Sequence, residues 1–176
     1  QLLMLSFPRG FKPVFEKTRG IQYIQESVPE GQTRKSWSDM ITVSGTKGLA
    51  SIPNFTPQSL VSKIATGFQR NCPASFNAIG LGAIKLDGYD AFGAVVGCGV
   101  AIDTGLPYSE SALIIAIKGE NDVYMIQWAE RGLASKTPIT LDTAKWAKRL
   151  MQLAPVKLCP VIPGEQAPFP SCANRK

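Results

Sequence analysis

The sequence predicts an α+β fold, with an antiparallel sheet of about five or six strands flanked by two main helices and irregular arms at residues 1–20 and 155–176. Three observations lead there. Two segments carry apolar residues at helical spacing. Two pairs of long β-prone runs are each joined by a short polar turn. Proline and glycine punctuate both ends of the chain. The 176 residues suit one domain.

In chain order, Pro8, Gly10, Pro13 and Gly20 break the first stretch into irregular or short extended pieces. Ile21 to Val28 favours a strand, Pro29-Glu30-Gly31 a turn, and Thr33 to Ser38 a short helical turn. Met40 to Val43 is β-prone and is expected to stop at Gly45. Thr56-Pro57 starts a helix, with a threonine cap and proline at the first helical position. Leu60, Val61, Ile64, Ala65 and Phe68 form its apolar stripe, and it ends near Asn71, ahead of Pro73. Ala78 to Leu86 and Phe92 to Ile102 form a hairpin around Asp87-Gly88. Ala112 to Lys118 and Val123 to Ala129 form a second. Both faces of Ala112–Lys118 are apolar, which places that strand centrally. A second helix spans Leu141 to Leu153, with Thr140 as its expected cap. Ala147, Leu150, Met151 and Ala154 make its apolar stripe beside Trp146 and Leu153, while Lys145, Lys148, Arg149 and Gln152 face away.

Composition removes several chemistries. The chain has no histidine, which excludes Ser-His-Asp and Cys-His catalysis and histidine metal ligation. At 44% hydrophobic and 18% charged it is globular, and its low charge density hints that part of the surface is covered. The net charge is +6, but the basic residues are scattered and no arginine-rich or aromatic-interleaved run points to nucleic acid. No apolar run approaches the ~20 residues of a membrane helix; Leu2-Leu3-Met4-Leu5 is short and Pro8 follows it. A chain that opens on Gln1, with no basic n-region or long apolar core, reads as one whose signal peptide has been removed.

The four cysteines, Cys72, Cys98, Cys159 and Cys172, lack the close Cys-x-x-Cys pairs of zinc or redox sites. An even count fits two disulfides in an oxidising compartment, with three connectivities open. Cys159 and Cys172 bracket a proline-rich loop, and a helix end at Cys72 can be stapled to a strand at Cys98. The expected pairs are therefore Cys72–Cys98 and Cys159–Cys172.

Other candidates reduce to structure. Gly80-x-Gly82 and Gly97-x-Gly99 do not complete a nucleotide loop and lie in strand patterns, where glycine marks a bulge or close backbone approach. Asp87, Asp90 and Asp122 belong to turns and lack an EF-hand pattern. Trp128 shares strand spacing with Tyr124 and Ile126, as a core residue would. Trp37 follows a polar turn and is the tryptophan most open to a partner. No cofactor, metal or catalytic residue is assigned.

Val28-Pro29-Glu30-Gly31-Gln32, then Trp37 and Met40-Ile41-Thr42-Val43, resembles a segment of small exported proteins of Proteobacteria. The resemblance extends loosely through Cys72-Pro73, the strand with Cys98 and the helix before Cys159. It implies the PsbP/Mog1-like class, an antiparallel sheet flanked by helices, to which no catalytic residues attach. Size and export also resemble the small third subunit of the membrane-bound quinohaemoprotein alcohol dehydrogenases of acetic acid bacteria, without a diagnostic motif.

The functional expectation is a non-catalytic periplasmic accessory subunit that docks on a larger exported or membrane-anchored protein. Leu2, Leu3, Leu5, Phe7, Phe11 and Phe169 have little local periodicity to bury them and are the expected docking residues. The alternatives are a small-ligand or lipid-binding protein with a pocket between sheet and helix, and a histidine-free hydrolase using serine, lysine and carboxylates.

Overall fold

The computed structural model describes residues 1–101 and 105–175. A short strand β1 (Leu2–Met4) opens the chain and is followed by β2 (Phe11–Arg19), β3 (Gln22–Pro29) and β4 (Asp39–Thr46). Helix α1 (Pro57–Asn71) precedes four long strands, β5 (Phe76–Leu86), β6 (Tyr89–Ala101), β7 (Tyr108–Lys118) and β8 (Val123–Leu133). Then come α2 (Thr143–Gln152), the short β9 (Lys157–Cys159) and a single turn, α3 (Pro170–Ala173). The large sheet is antiparallel throughout, in the order β2-β3-β4-β8-β7-β6-β5, and β1 pairs with β9 in a separate ribbon.

Strand β7 is internal, next to the middle strand β8, and both its faces are covered, as their apolar character requires. Leu113, Ile115 and Ile117 project into one core with Trp128, Trp146 and Leu153. Ala112, Ile114 and Ala116 project into the other, where Val61 of α1 is buried. Each is almost wholly removed from water, and each large aliphatic side chain so buried contributes roughly 1.5–3 kcal/mol. Helix α1 thus covers one face over β5, β6 and β7. Helix α2 and the β1–β9 ribbon lie against the other core, through Trp146, Leu153, Leu158 and Leu3.

Several expectations need correction. The sheet has seven strands, because Phe11–Arg19 within the supposed arm is an edge strand. An edge tolerates Pro13, which has no N–H to donate, and the register shifts between Pro13 and Phe15. Gly45 does not stop β4; it lies inside the strand, and a Cβ there would lie 3.7 Å from the Tyr124 ring. Thr33–Ser38 is a turn rather than a helical one. Ser36 N–H donates to the Thr33 carbonyl and hydroxyl, and Ser38 N–H donates to Gln32 Oε1 at 2.7 Å. The cap of α2 is Asp142, whose carboxylate accepts from Lys145 N–H at 3.0 Å, in place of Thr140. Its buried stripe is also displaced: Trp146 and Leu153 are buried, Met151 is 66% exposed, and Arg149 turns inward. Ile102, the expected end of the first hairpin, lies outside the described residues.

The cysteines come together as two pairs at disulfide distance, Cys72 with Cys98 and Cys159 with Cys172, with Cα separations of 5.7 and 5.6 Å. The first fixes the end of α1 to β6. The second fixes β9 to α3 across the proline-rich loop.

Candidate functional site

The N-terminal arm folds back over the sheet, held at several points. Leu2 pairs with Cys159, Leu3 with Leu158 and Met4 with Lys157. The Gln1 side chain donates to the Tyr89 hydroxyl at 2.6 Å and accepts from Glu120 N–H at 2.8 Å. The Tyr124 hydroxyl donates to the Gln1 carbonyl at 2.8 Å, and Ser6 N–H donates to the Leu153 carbonyl at 3.0 Å. Strand β9 is itself fixed, since Leu158 N–H donates to Asp87 Oδ2 at 2.8 Å and Lys157 donates to carbonyls at the end of α3.

Between this arm and strands β2–β4 lies a partly open cavity of ≈ 450 Å³. The arm supplies Leu2, Leu3, Leu5 and Phe7, and the residue ahead of α3 supplies Phe169. The sheet supplies Tyr23, Gln25, Val43 and Gly45, and Thr18, Gln22, Lys47 and Asp122 also line the space. The pairing register explains the sheet side: Tyr23 lies opposite Gly45 and Gln25 opposite Val43, so their side chains share the face that carries the Val43 core. The walls are thus apolar, with a small number of polar groups, and the volume falls within the ≈ 300–1,000 Å³ of small-molecule sites.

Two tyrosines of this site keep their protons far into the alkaline range. Burial, then the neighbouring Asp122 carboxylate, pushes Tyr124 up to about 12. Burial, then a hydrogen bond to Glu16 at 3.1 Å, pushes Tyr23 to about 12. Both are therefore neutral hydroxyls at ordinary pH.

The docking residues expected from the sequence take a different arrangement. Leu3, Leu5 and Phe11 pack against the main core, and Phe11 meets the Trp128 ring edge-on at 5.6 Å. Phe7 is 36% exposed. All but Phe11 line the cavity, so they form its wall instead of one outward patch. The partial burial of Leu2 and Leu3 comes from β1–β9 pairing between the two ends of the chain, which no local pattern reports.

The remaining candidates are structural. Asp87 accepts from Leu158 N–H and pairs with Arg175; Asp90 pairs with Lys85 at 2.6 Å; Asp122 accepts from Gly48 N–H at 3.0 Å. The register shifts between Gly80 and Gly82, where Gly82 has φ +90°. A Cβ on Gly97 would approach Leu141 to 2.9 Å, and one on Gly99 would come within 2.3 Å of the Ser135 carbonyl. Trp37 stacks on the Arg131 guanidinium at 3.9 Å, and Tyr108 stacks on the same guanidinium at 4.1 Å.

Sequence reasoning missed one polar cluster. Arg149 bridges Asp39 and Glu130, each at 2.8 Å, and Glu130 also pairs with Lys145. Trp128 Nε1–H donates to Asp39 at 3.1 Å. Arg149 lies 4.9 Å from the Trp128 ring centre and 4.6 Å from that of Trp146. Burial alone would raise the Glu130 carboxyl; the Lys145 hydrogen bond and the Arg149 and Lys145 charges outweigh it and hold the group below the usual range. Glu130 is thus a fixed anion that clamps α2 to the sheet, a poor general base. The signal was present in Trp128, Arg149 and Lys145, but the apparent apolar stripe of α2 turned both cations outward.

Among the described residues, no helix is long and apolar enough to cross a membrane. No family model matches the sequence, and no curated protein matches it.

Proposed function

We propose that this chain is a non-catalytic, exported binding protein whose site is the cavity beneath the N-terminal arm, and that the ligand is a small, largely apolar molecule. The observation that carries this reading is the ≈ 450 Å³ space walled by Leu2, Leu5, Phe7, Val43 and Phe169. Burying those walls against a hydrocarbon contributes about 25 cal/mol per Å² of apolar surface. The two cysteine pairs favour an oxidising compartment, which for a bacterial protein is the periplasm. The hydrolase alternative gains no support from Glu130, whose neighbours lock it as an anion.

N-phenyl-1-naphthylamine, which brightens in apolar surroundings, tests the reading. The protein should bind it at one site, and Thr18→Trp, which fills the space from an exposed position on β2, should block binding with the fold intact. Absence of binding by the parent protein, or equal binding by the filled variant, would overturn it.

A second reading, an accessory subunit on a larger exported or membrane-anchored protein such as a quinoprotein dehydrogenase, is favoured by one observation. Leu133 is 94% exposed in a shallow depression that it shares with Trp37 and Arg131. An isolated exposed leucine is common, so the cavity beneath the arm takes precedence. Loss of a co-purifying partner in Leu133→Asp, with N-phenyl-1-naphthylamine binding retained, is the result this second reading requires.

A further inference from the structure

Gln25 is a half-buried amide of the cavity. The β3–β4 register places it opposite Val43 and two residues from Tyr23, on the face closed over by the arm. Among the described residues its side chain makes no hydrogen bond, whereas Tyr23 and Tyr124 are already committed to Glu16 and to the Gln1 carbonyl. A primary amide offers two donors and an acceptor, and the half-buried Gln25 amide has them free for a ligand in the cavity. The charged residues along the lining are Lys47 and Asp122, of opposite sign, and the Asp122 carboxylate already accepts from Gly48 N–H at 3.0 Å.

We propose, building on the ligand-binding reading above, that the cavity selects an uncharged amphiphile. Its hydrocarbon chain lies against Leu2, Leu5, Val43 and Phe169, and its neutral head, an ester, amide or hydroxyl, hydrogen-bonds to the Gln25 amide. An ester or amide carbonyl takes the Gln25 N–H, and a head hydroxyl or N–H gives its proton to the Gln25 carbonyl. A carboxylate or quaternary ammonium drawn to the depth of Gln25 loses its hydration among apolar walls, and the lining cation, Lys47, is itself exposed to water rather than held at that depth, so the transfer is costly.

The test is displacement of N-phenyl-1-naphthylamine from the full chain with its cysteines paired, by monomyristoylglycerol, myristate and myristoylcholine at about pH 8, where a fatty carboxylate is ionised. The three share one chain and differ in head charge. Monomyristoylglycerol should displace the probe at a concentration about tenfold lower than either charged amphiphile. Gln25→Met, which keeps the length and removes the hydrogen bonds, should bring the three within about threefold of each other, each displacement being referred to the variant's own probe affinity. If Gln25→Met does not fold, Gln25→Leu removes the same hydrogen bonds without adding a charge and should narrow the three in the same way. Probe binding with myristate equal to or better than monomyristoylglycerol overturns this inference and leaves the ligand-binding reading standing. A preference that survives Gln25→Met or Gln25→Leu also overturns it. Failure of the parent protein to bind the probe removes both readings together.

Discussion

The Tyr124 hydroxyl donates 2.8 Å to the main-chain carbonyl of Gln1, tying the start of the arm to β8, the middle strand of the seven. Tyr124→Phe removes this latch and keeps the ring against the core. It should cost about 1 kcal/mol of stability, measured by urea unfolding. Amide exchange at Leu3 and Met4 should quicken while exchange in β7 does not.

The same hydroxyl gives an alkaline limit. Tyr124 and Tyr23 hold their protons to about 12, against 10.0 for a free phenol. A raised folded-state value means that the stability from these groups is whole below pH 10.0 and is lost as pH rises through about 12. Phenolate absorbance in the folded protein should therefore appear later than in the unfolded chain, and the late component should shrink in Tyr124→Phe. Titration of all four tyrosines near the free value would contradict this.

Glu130 gives the opposite limb. Its folded-state value is lowered, so its contribution is present above the ordinary carboxylate range and fades as pH falls through the folded value. Glu130→Gln should destabilise the protein by about 1–3 kcal/mol at neutral pH, discounted from a fully buried pair because Lys145 is part exposed. Its acid limb should also be flatter than the parent's in unfolding measured from neutral pH downwards.

The two cysteine pairs separate stability from binding. Replacing both Cys159 and Cys172 by serine frees the strand on which Leu2 and Leu3 lie and should cost about 3 kcal/mol in the chain-entropy picture. N-phenyl-1-naphthylamine binding should fall with it. The Cys72/Cys98 double serine variant should lose stability but bind as before, because that pair anchors α1 on the far face. Equal loss of binding in both variants would detach the ribbon from the site.

A fifth expectation concerns backbone approach. Gly99→Ala places a methyl 2.3 Å from the Ser135 carbonyl, while Gly80→Ala meets nothing within 4 Å. The first should lower the melting temperature sharply, by about 2–4 kcal/mol equivalent, and the second should change it little.

The parts of the fold that could be read from the residues are those with local patterns. Thr56-Pro57 and the stripe from Leu60 to Phe68 gave α1 its bounds, and the long runs around Asp87-Gly88 and Gly119–Asp122 gave β5–β8. Strand β2 was hidden because it is an edge with its faces largely in water, so Lys12, Glu16, Lys17 and Arg19 replace the usual alternation. Strands β1 and β9 have three residues each and pair across nearly the whole chain, leaving no periodicity to detect. The inward turn of Arg149 depended on acids from β4 and β8 that only the folded sheet brings together. Leu2, Leu3, Leu5, Phe7 and Phe169 could be singled out as apolar residues without a local home, but the cavity they enclose exists only once the arm lies over Tyr23, Gln25 and Val43.

The β1–β9 ribbon also sets an order of events. Adjacent strands of the large sheet mostly follow one another in sequence, so their pairing closes short loops, whereas the ribbon must close nearly the whole chain. During synthesis, the first strand emerges long before its partner. Until β9 arrives, Leu2, Leu3 and Leu5 have no edge to pair with and Val43 has no roof, which makes this interval the one in which a holding chaperone would find an apolar target.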